Sequence, residues 1–197
     1  GLELALACTS RILIENPVPE DTEYTTHQLT KLALPEVKLG IIPSWGGITR
    51  LPRIIHPVKA IELICSGRNV GQSEALEIGL VDEIVKSGTH WDEVAYNIIN
   101  TCDFKAIRDK KTGPTTLGGL RASVTYPIVK NTIQKKQKKM FGVSNKYPSP
   151  FKALEVLKKT RKMNRDESLE LEREAFIKLV KTDECVELVG RFLSGER

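Results

Sequence analysis

Residues 32–53, LALPEVKLGIIPSWGGITRLPR, constrain the fold more than any other stretch of the chain. A carboxylate, Glu36, stands directly behind Pro35 and is followed by an apolar run that breaks at Pro43. Gly46 and Gly47 then sit where a helix should start, running through Ile48, Leu51 and Ile54, with Pro52 ending or kinking it. The segment therefore reads as a turn between short elements. That turn is either ordinary loop chemistry or the wall of a site in which Glu36 works.

The flanking segments read the same way. Residues 2–14, LELALACTSRILI, begin helical and become strand-like at Ile12–Ile14. Residues 15–27 are polar and acidic, contain two prolines, and read as a surface excursion; residues 29–34 return as a short strand. A helix fits 57–66, with Pro57 in its first turn and Gly67 after its end, and another fits 72–78, closed by Gly79. LVDEIV follows as a strand, and Thr89 can cap a helix near Trp91. Residues 103–120 read as a loop or linker, and from 121 onward the pattern is almost all helical. YPSP at 147–150 makes a turn before a basic amphipathic helix over 151–162. A helix over 166–180 offers Leu169, Leu171, Phe176 and Leu179 for burial, and Thr182 can cap a last helix ending near Gly195.

Composition excludes several classes. At 40% hydrophobic and 28% charged, the 197 residues are globular rather than disordered. No apolar run approaches the ~20 residues of a membrane span, and GLELALAC lacks the basic flank of a signal peptide. Cys8, Cys65, Cys102 and Cys185 form no CxxC and have no histidine at metal spacing, which fits a reduced intracellular protein without a metal site. His27, His56 and His90 form no motif. The net charge of +5 gathers in the lysines of 128–140, a pattern of a solvated helix face that can also attract a phosphate. No aromatic residues interleave there, so nucleic acid is not the expected partner.

Two carboxylates stand out chemically. Glu3 and Glu36 both lie in apolar company, where an acid must be hydrogen-bonded or protonated and its pKa tends upward. Such groups suit proton transfer near neutral pH. The residues alone leave open that both are exposed acids at the edges of amphipathic elements. Gly1, Gly46 and Gly47 open helices, whose free N–H groups can hold a developing oxyanion.

Three blocks together carry a resemblance. GLELALAC resembles the end of the GGGxE segment of the crotonase (enoyl-CoA hydratase/isomerase) superfamily. LALPEVKLGIIPSWGGITRLPR resembles its second signature, PExxLGxxPGxGGTxRLPR. AIELICSGRNVGQSEALEIGLVDEIV looks like its downstream block ending in GLVDxVV, and the three occur in the family's order. KYPSPFKALEVL and SLELEREAFIKLVKTDECVELVGRFL look like the region after the hydratase core in multifunctional fatty-acid oxidation alpha subunits.

The resemblance implies an α/β fold: the C-terminal part of a crotonase-type ββα spiral over 1–102, a linker over 103–127 and an all-helical tail over 128–197 leading toward a dehydrogenase domain. It implies an N-terminally truncated segment, inactive alone, with the oxyanion donors upstream of Gly1. It assigns Glu3 and Glu36 as the catalytic pair that holds water at the enoyl double bond. Gly1, Pro43, Ser44, Trp45, Gly46 and Gly47 would line the substrate. The implied substrate is a CoA thioester, with no cofactor in this segment and NAD in the dehydrogenase domain. The implied partner is a thiolase beta subunit, and the location cytoplasmic in a bacterium or a mitochondrial or peroxisomal matrix. Ser44 stands where the family has glycine, and Trp45 follows it. The alternatives are a non-catalytic assembly module, or an isomerase or thioester hydrolase of the same superfamily.

Overall fold

The computed structural model describes residues 1–15, 30–86, 88, 90–103 and 119–195. The acidic excursion over 16–27, the residues 104–118 of the expected linker and the Thr89 cap lie outside the described residues.

Helix α1 (Leu2–Ala7) leads into strand β1 (Ile12–Ile14). A 3-10 helix (Glu36–Leu39) is followed by α2 (Gly47–Ile54), α3 (Pro57–Ser66) and α4 (Gln72–Glu77). Strand β2 (Glu83–Val85) then pairs parallel with β1, placing Ile12 opposite Glu83, Leu13 opposite Ile84 and Ile14 opposite Val85. Parallel strands need a long crossover, and α2–α4 provide it. Arg11 locks the pair: its N–H donates to Asp82 Oδ2 at 2.6 Å and its Nε to the Leu80 carbonyl at 2.6 Å.

One local expectation changes, and one open point is decided. The strand over 29–34 contracts, in its described part, to one antiparallel bridge between Leu32 and Val70. Leu32 exchanges both backbone hydrogen bonds with Val70, and Pro35, which has no N–H, then turns the chain into the 3-10 helix. Helix α2 runs two residues past Pro52, to Ile54, and closes when Ile55 becomes extended.

The helices from α3 on follow their sequence signals. Pro57 opens α3, and Gly67 closes it in the left-handed conformation at φ 59°. The later helices are α5 (Trp91–Thr101), α6 (Gly119–Phe141), α7 (Ser149–Thr160), α8 (Arg165–Leu179) and α9 (Asp183–Ser194). Asn164 and Glu167 form a reciprocal capping box on α8, and Thr182 caps α9 by accepting the Cys185 N–H.

One hydrophobic cluster joins the front of the chain to its helical tail. Leu6, Ile42, Ile48, Leu51, Ile61 and Ile64 share it with Ala153, Val156, Leu157, Ala175 and Leu179. Each buried leucine or isoleucine contributes roughly 1.5–3 kcal/mol. Helix α7 packs on α2 and α3, α8 on α2, and α9 on the 3-10 helix. Gly40 makes the last contact possible: at φ +79°, its absent Cβ would lie 2.7 Å from Cys185 Cα. Ser149 Oγ adds a buried hydrogen bond to the Val37 carbonyl at 2.9 Å. Elsewhere apolar side chains face outward: Leu4, and Trp91, Tyr96 and Ile99 on α5, which buries none of its residues.

Helix α8 corrects one expectation in a consequential way. Its buried positions are Ser168, Glu172, Ala175 and Leu179, whereas Leu169, Leu171 and Phe176 are only partly covered. A fully buried acid therefore occupies the centre of the packed face.

Candidate active site

The site is built around the first turn of α2. A helix start leaves N–H groups unpaired and carries a partial positive charge. Neither Gly46, in the capping position, nor its neighbours supply a side-chain cap. Carboxylates from two distant helices do so instead.

Glu3, from α1, accepts the Trp45 N–H at 2.9 Å and the Gly47 N–H at 2.8 Å, both on Oε1. Its Oε2 has no hydrogen-bond partner among the described residues. Gly47 must be glycine for this approach, because a Cβ there would lie 2.9 Å from Glu3 Oε1 and 2.8 Å from Pro43 Cβ. Glu172, from α8, takes the other donors. Its Oε2 accepts the Gly46 N–H at 2.9 Å, and its Oε1 accepts the Thr49 N–H at 2.6 Å and the Thr49 hydroxyl. Gly46, at φ +100°, gives the chain the left-handed step that aims these N–H groups apart.

Glu36 opens the 3-10 helix behind Pro35. Its Oε2 is buried with no hydrogen-bond partner among the described residues. Burial pushes this carboxyl up to about 7; a hydrogen bond from its own N–H opposes the shift, and the charge of Glu3 adds to it. Burial likewise pushes Glu172 up to about 7, against the hydrogen bonds from Thr49 and Gly46. Glu3 is thus electrostatically coupled to both other acids.

The sequence-derived site residues divide as follows. Glu3, Trp45 and Gly47 are joined by hydrogen bonds, Pro43 packs beside them, and Glu36 is coupled to Glu3. Gly46 belongs to the Glu172 side of the turn. Gly1 is the exposed cap of α1, and Ser44 is half-buried. The Trp45 side chain is 82% exposed, so only its backbone enters the described contacts. The lysines at 130, 135, 136, 138 and 139 are all exposed. His56 caps α3 and His90 precedes α5; neither approaches the acids by a described contact. Glu172 was not singled out in the sequence. Its signal was an acid on a strict 168, 172, 175, 179 stripe with small residues around it.

A separate cavity of about 400 Å³ lies between the 3-10 helix, α3 and α6, lined by Val37, Lys38, Cys65, Val129 and Ile133 among others. It contains neither Glu3 nor Glu36. Among the described residues no cluster suits a metal ion, and no helix is long and apolar enough to cross a membrane.

A parallel strand pair, a glycine-led helix start gripped by acids and a helical C-terminal part together define a crotonase-type α/β fold. Residues 1–103 match enoyl-CoA hydratase/isomerase, and the chain belongs to that family. Solved structures with the same fold include a carnitinyl-CoA hydratase from Mycobacterium avium, 22% identical with a TM-score of 0.56 over 99% of this chain and 55% of that one. Another is an enoyl-CoA hydratase from Mycobacterium avium subsp. paratuberculosis, 17% identical with a TM-score of 0.56 over 98% and 57%. A third is a carnitinyl-CoA dehydratase from Mycobacterium thermoresistibile, 16% identical with a TM-score of 0.59 over 98% and 57%. The chain spans little more than half the length of these proteins, and at such identities the likeness is one of fold.

Proposed function

We propose that the whole protein adds water to a trans-2-enoyl-CoA to give the 3-hydroxyacyl-CoA. The observation that carries this reading is the state of Glu36: a buried carboxyl oxygen without a partner among the described residues, coupled to a second acid that two backbone N–H groups hold in place. In this reading Glu3 takes a proton from the water as its oxygen bonds to C3, and protonated Glu36 gives its proton to C2. The pair holds one proton before and after the step. The reverse reaction uses the same groups with exchanged roles.

The test is hydration of crotonyl-CoA by the full-length protein. Glu36→Gln keeps the shape of the side chain but cannot exchange a proton, and a loss of about a hundredfold or more is expected. Unchanged activity would end this assignment. Product analysis with 2-enoyl and 3-enoyl CoA esters separates hydration from isomerisation and thioester hydrolysis.

The same reading places the chain in a multifunctional fatty-acid oxidation alpha subunit that works beside a dehydrogenase domain and a thiolase beta subunit. The support is the pair of segments KYPSPFKALEVL and SLELEREAFIKLV, which lie across α7 and α8 and pack directly on the front half. NAD-dependent oxidation of 3-hydroxyacyl-CoA by the full-length protein tests it, and a full-length protein without that activity contradicts it.

A further inference from the structure

The most unusual group in the molecule outside the proposed catalytic pair is Glu172. It is an acid at 0% exposure in the middle of a helix-packing face. An unpaired acid at such a position is strongly destabilising, and a buried acid is retained where its partners satisfy it. All its described hydrogen bonds go to α2: to the Gly46 N–H, the Thr49 N–H and the Thr49 hydroxyl. Gly46 and Thr49 are first-turn donors that Glu3 leaves unused. Glu3 takes Trp45 and Gly47 from the same turn. The two acids therefore grip different N–H groups of one turn, from opposite ends of the sequence.

This arrangement has a mechanical consequence. The orientation of Gly47 N–H fixes where Glu3 Oε1 sits, and the orientation of that turn is fixed in part by Glu172. Pro43 closes on the same point, since a Cβ on Gly47 would meet both Pro43 and Glu3. The turn has little room to adjust if one grip is lost. Arg50 ties the same turn, with Nη1 donating to the Trp45 carbonyl at 2.5 Å.

We propose that Glu172 is a positioning residue of the active site: through Gly46 and Thr49 it sets the first turn of α2 and thereby the place of Glu3 relative to Glu36. This inference rests on the catalytic roles proposed for Glu3 and Glu36. It assigns the helical tail a part in the chemistry of the front half, beyond covering its core.

The experiment compares Glu172→Gln, Thr49→Val and Thr49→Ser in the full-length protein. The glutamine presents an amide donor where Glu172 offers two acceptor oxygens, so one grip is lost. Thr49→Val removes only the hydroxyl donor, and Thr49→Ser restores it. Three readouts are needed: kcat and KM on crotonyl-CoA, the pH profile of kcat/KM, and the titration of the Glu36 carboxyl followed by 13C NMR. Glu172→Gln should lower kcat about 10–100-fold with KM within about twofold, as expected for a misplaced catalytic group. Thr49→Val should lose less, and Thr49→Ser should recover. As Glu3 moves away, the Glu36 titration and the alkaline limb of the profile should move to lower pH.

A purely structural role predicts another pattern: lower thermal stability with kcat per folded molecule, pH profile and Glu36 titration all unchanged. That result overturns the proposal. The NMR readout does not depend on the reaction. If wild-type protein fails to hydrate crotonyl-CoA while the Glu36 titration still moves in Glu172→Gln, Glu172 still sets the place of Glu3 relative to Glu36, and it is the hydratase reading that falls. If Glu172→Gln does not fold, the Thr49→Val and Thr49→Ser pair decides by the same criteria.

Discussion

Glu3 Oε1 accepts the Gly47 N–H at 2.8 Å across 44 positions of sequence. The contact joins the first helix of the chain to the start of α2, and the glycine makes it possible. It places an acid against the positive end of a helix, where a carboxylate is favoured and its orientation is fixed.

Gly47→Ala tests this contact directly. The added methyl would sit 2.9 Å from Glu3 Oε1 and 2.8 Å from Pro43 Cβ, so one of them must move. Overpacking of this kind costs about 1–3 kcal/mol. If Glu3 yields, turnover should fall about 10–100-fold, because small misplacements of a catalytic group are expensive. Urea denaturation and steady-state kinetics on the same preparation measure both; a variant with wild-type kinetics would show that the Glu3–Gly47 contact does not matter for turnover.

Stability should depend on pH in an uncommon direction. Glu36 and Glu172 are both pushed up to about 7 from 4.5. The folded protein then holds protons that the unfolded chain releases, so their contribution is fully present below about pH 4.5 and is lost as pH rises to about 7. Denaturation midpoints should decline over that window. Glu36→Gln should flatten the decline, leaving the share of Glu172, and should be more stable than wild type at pH 8. Parallel curves for the two proteins would contradict the burial of Glu36.

Gly40→Ala should loosen α9. The new Cβ meets Cys185 Cα at 2.7 Å, and φ is +79°. Backbone strain and the clash together should cost about 2–3 kcal/mol, read from urea denaturation. A change below about 0.5 kcal/mol would mean that α9 does not pack against the 3-10 helix as described.

Asp82→Ala should cost about 2 kcal/mol, since it strips the buried Arg11 of its ion pair at 3.0 Å and frees the Arg11 N–H. Thermal melts of Asp82→Ala and the double variant with Arg11→Met give the check. The double variant should regain part of the loss, and a further fall would argue against the pair.

How much of this was legible in the sequence depends on the range of the forces involved. Local signals served well: Pro57 and Gly67 bound α3, Thr182 caps α9, and the β-branched run at Ile12–Ile14 forms a strand. These depend on backbone chemistry within a few residues. The strand expected over 29–34 contracts in its described part because pairing needs a partner, and Val70 offers Leu32 a single bridge. Glu3 and Glu36 were legible as acids in apolar company, but the hydrogen bonds of Glu3 to the α2 turn were not, since they depend on tertiary packing. Glu172 was the least legible. In sequence it is one acid among several on a charged helix, and only the packing of α8 on α2 turns it inward to Thr49 and Gly46.

Proton transfer by Glu36 is read most directly from the pH dependence of kcat/KM for crotonyl-CoA hydration by the full-length protein between pH 5 and 9. In the proposed step the carboxyl pair holds one proton before and after, and hydration consumes and releases no net proton, so the two directions share one profile. An alkaline limb is expected where Glu36 releases that proton, at about 7, with the same limb in the dehydration direction. A profile that stays flat from pH 6 to 9 would contradict it.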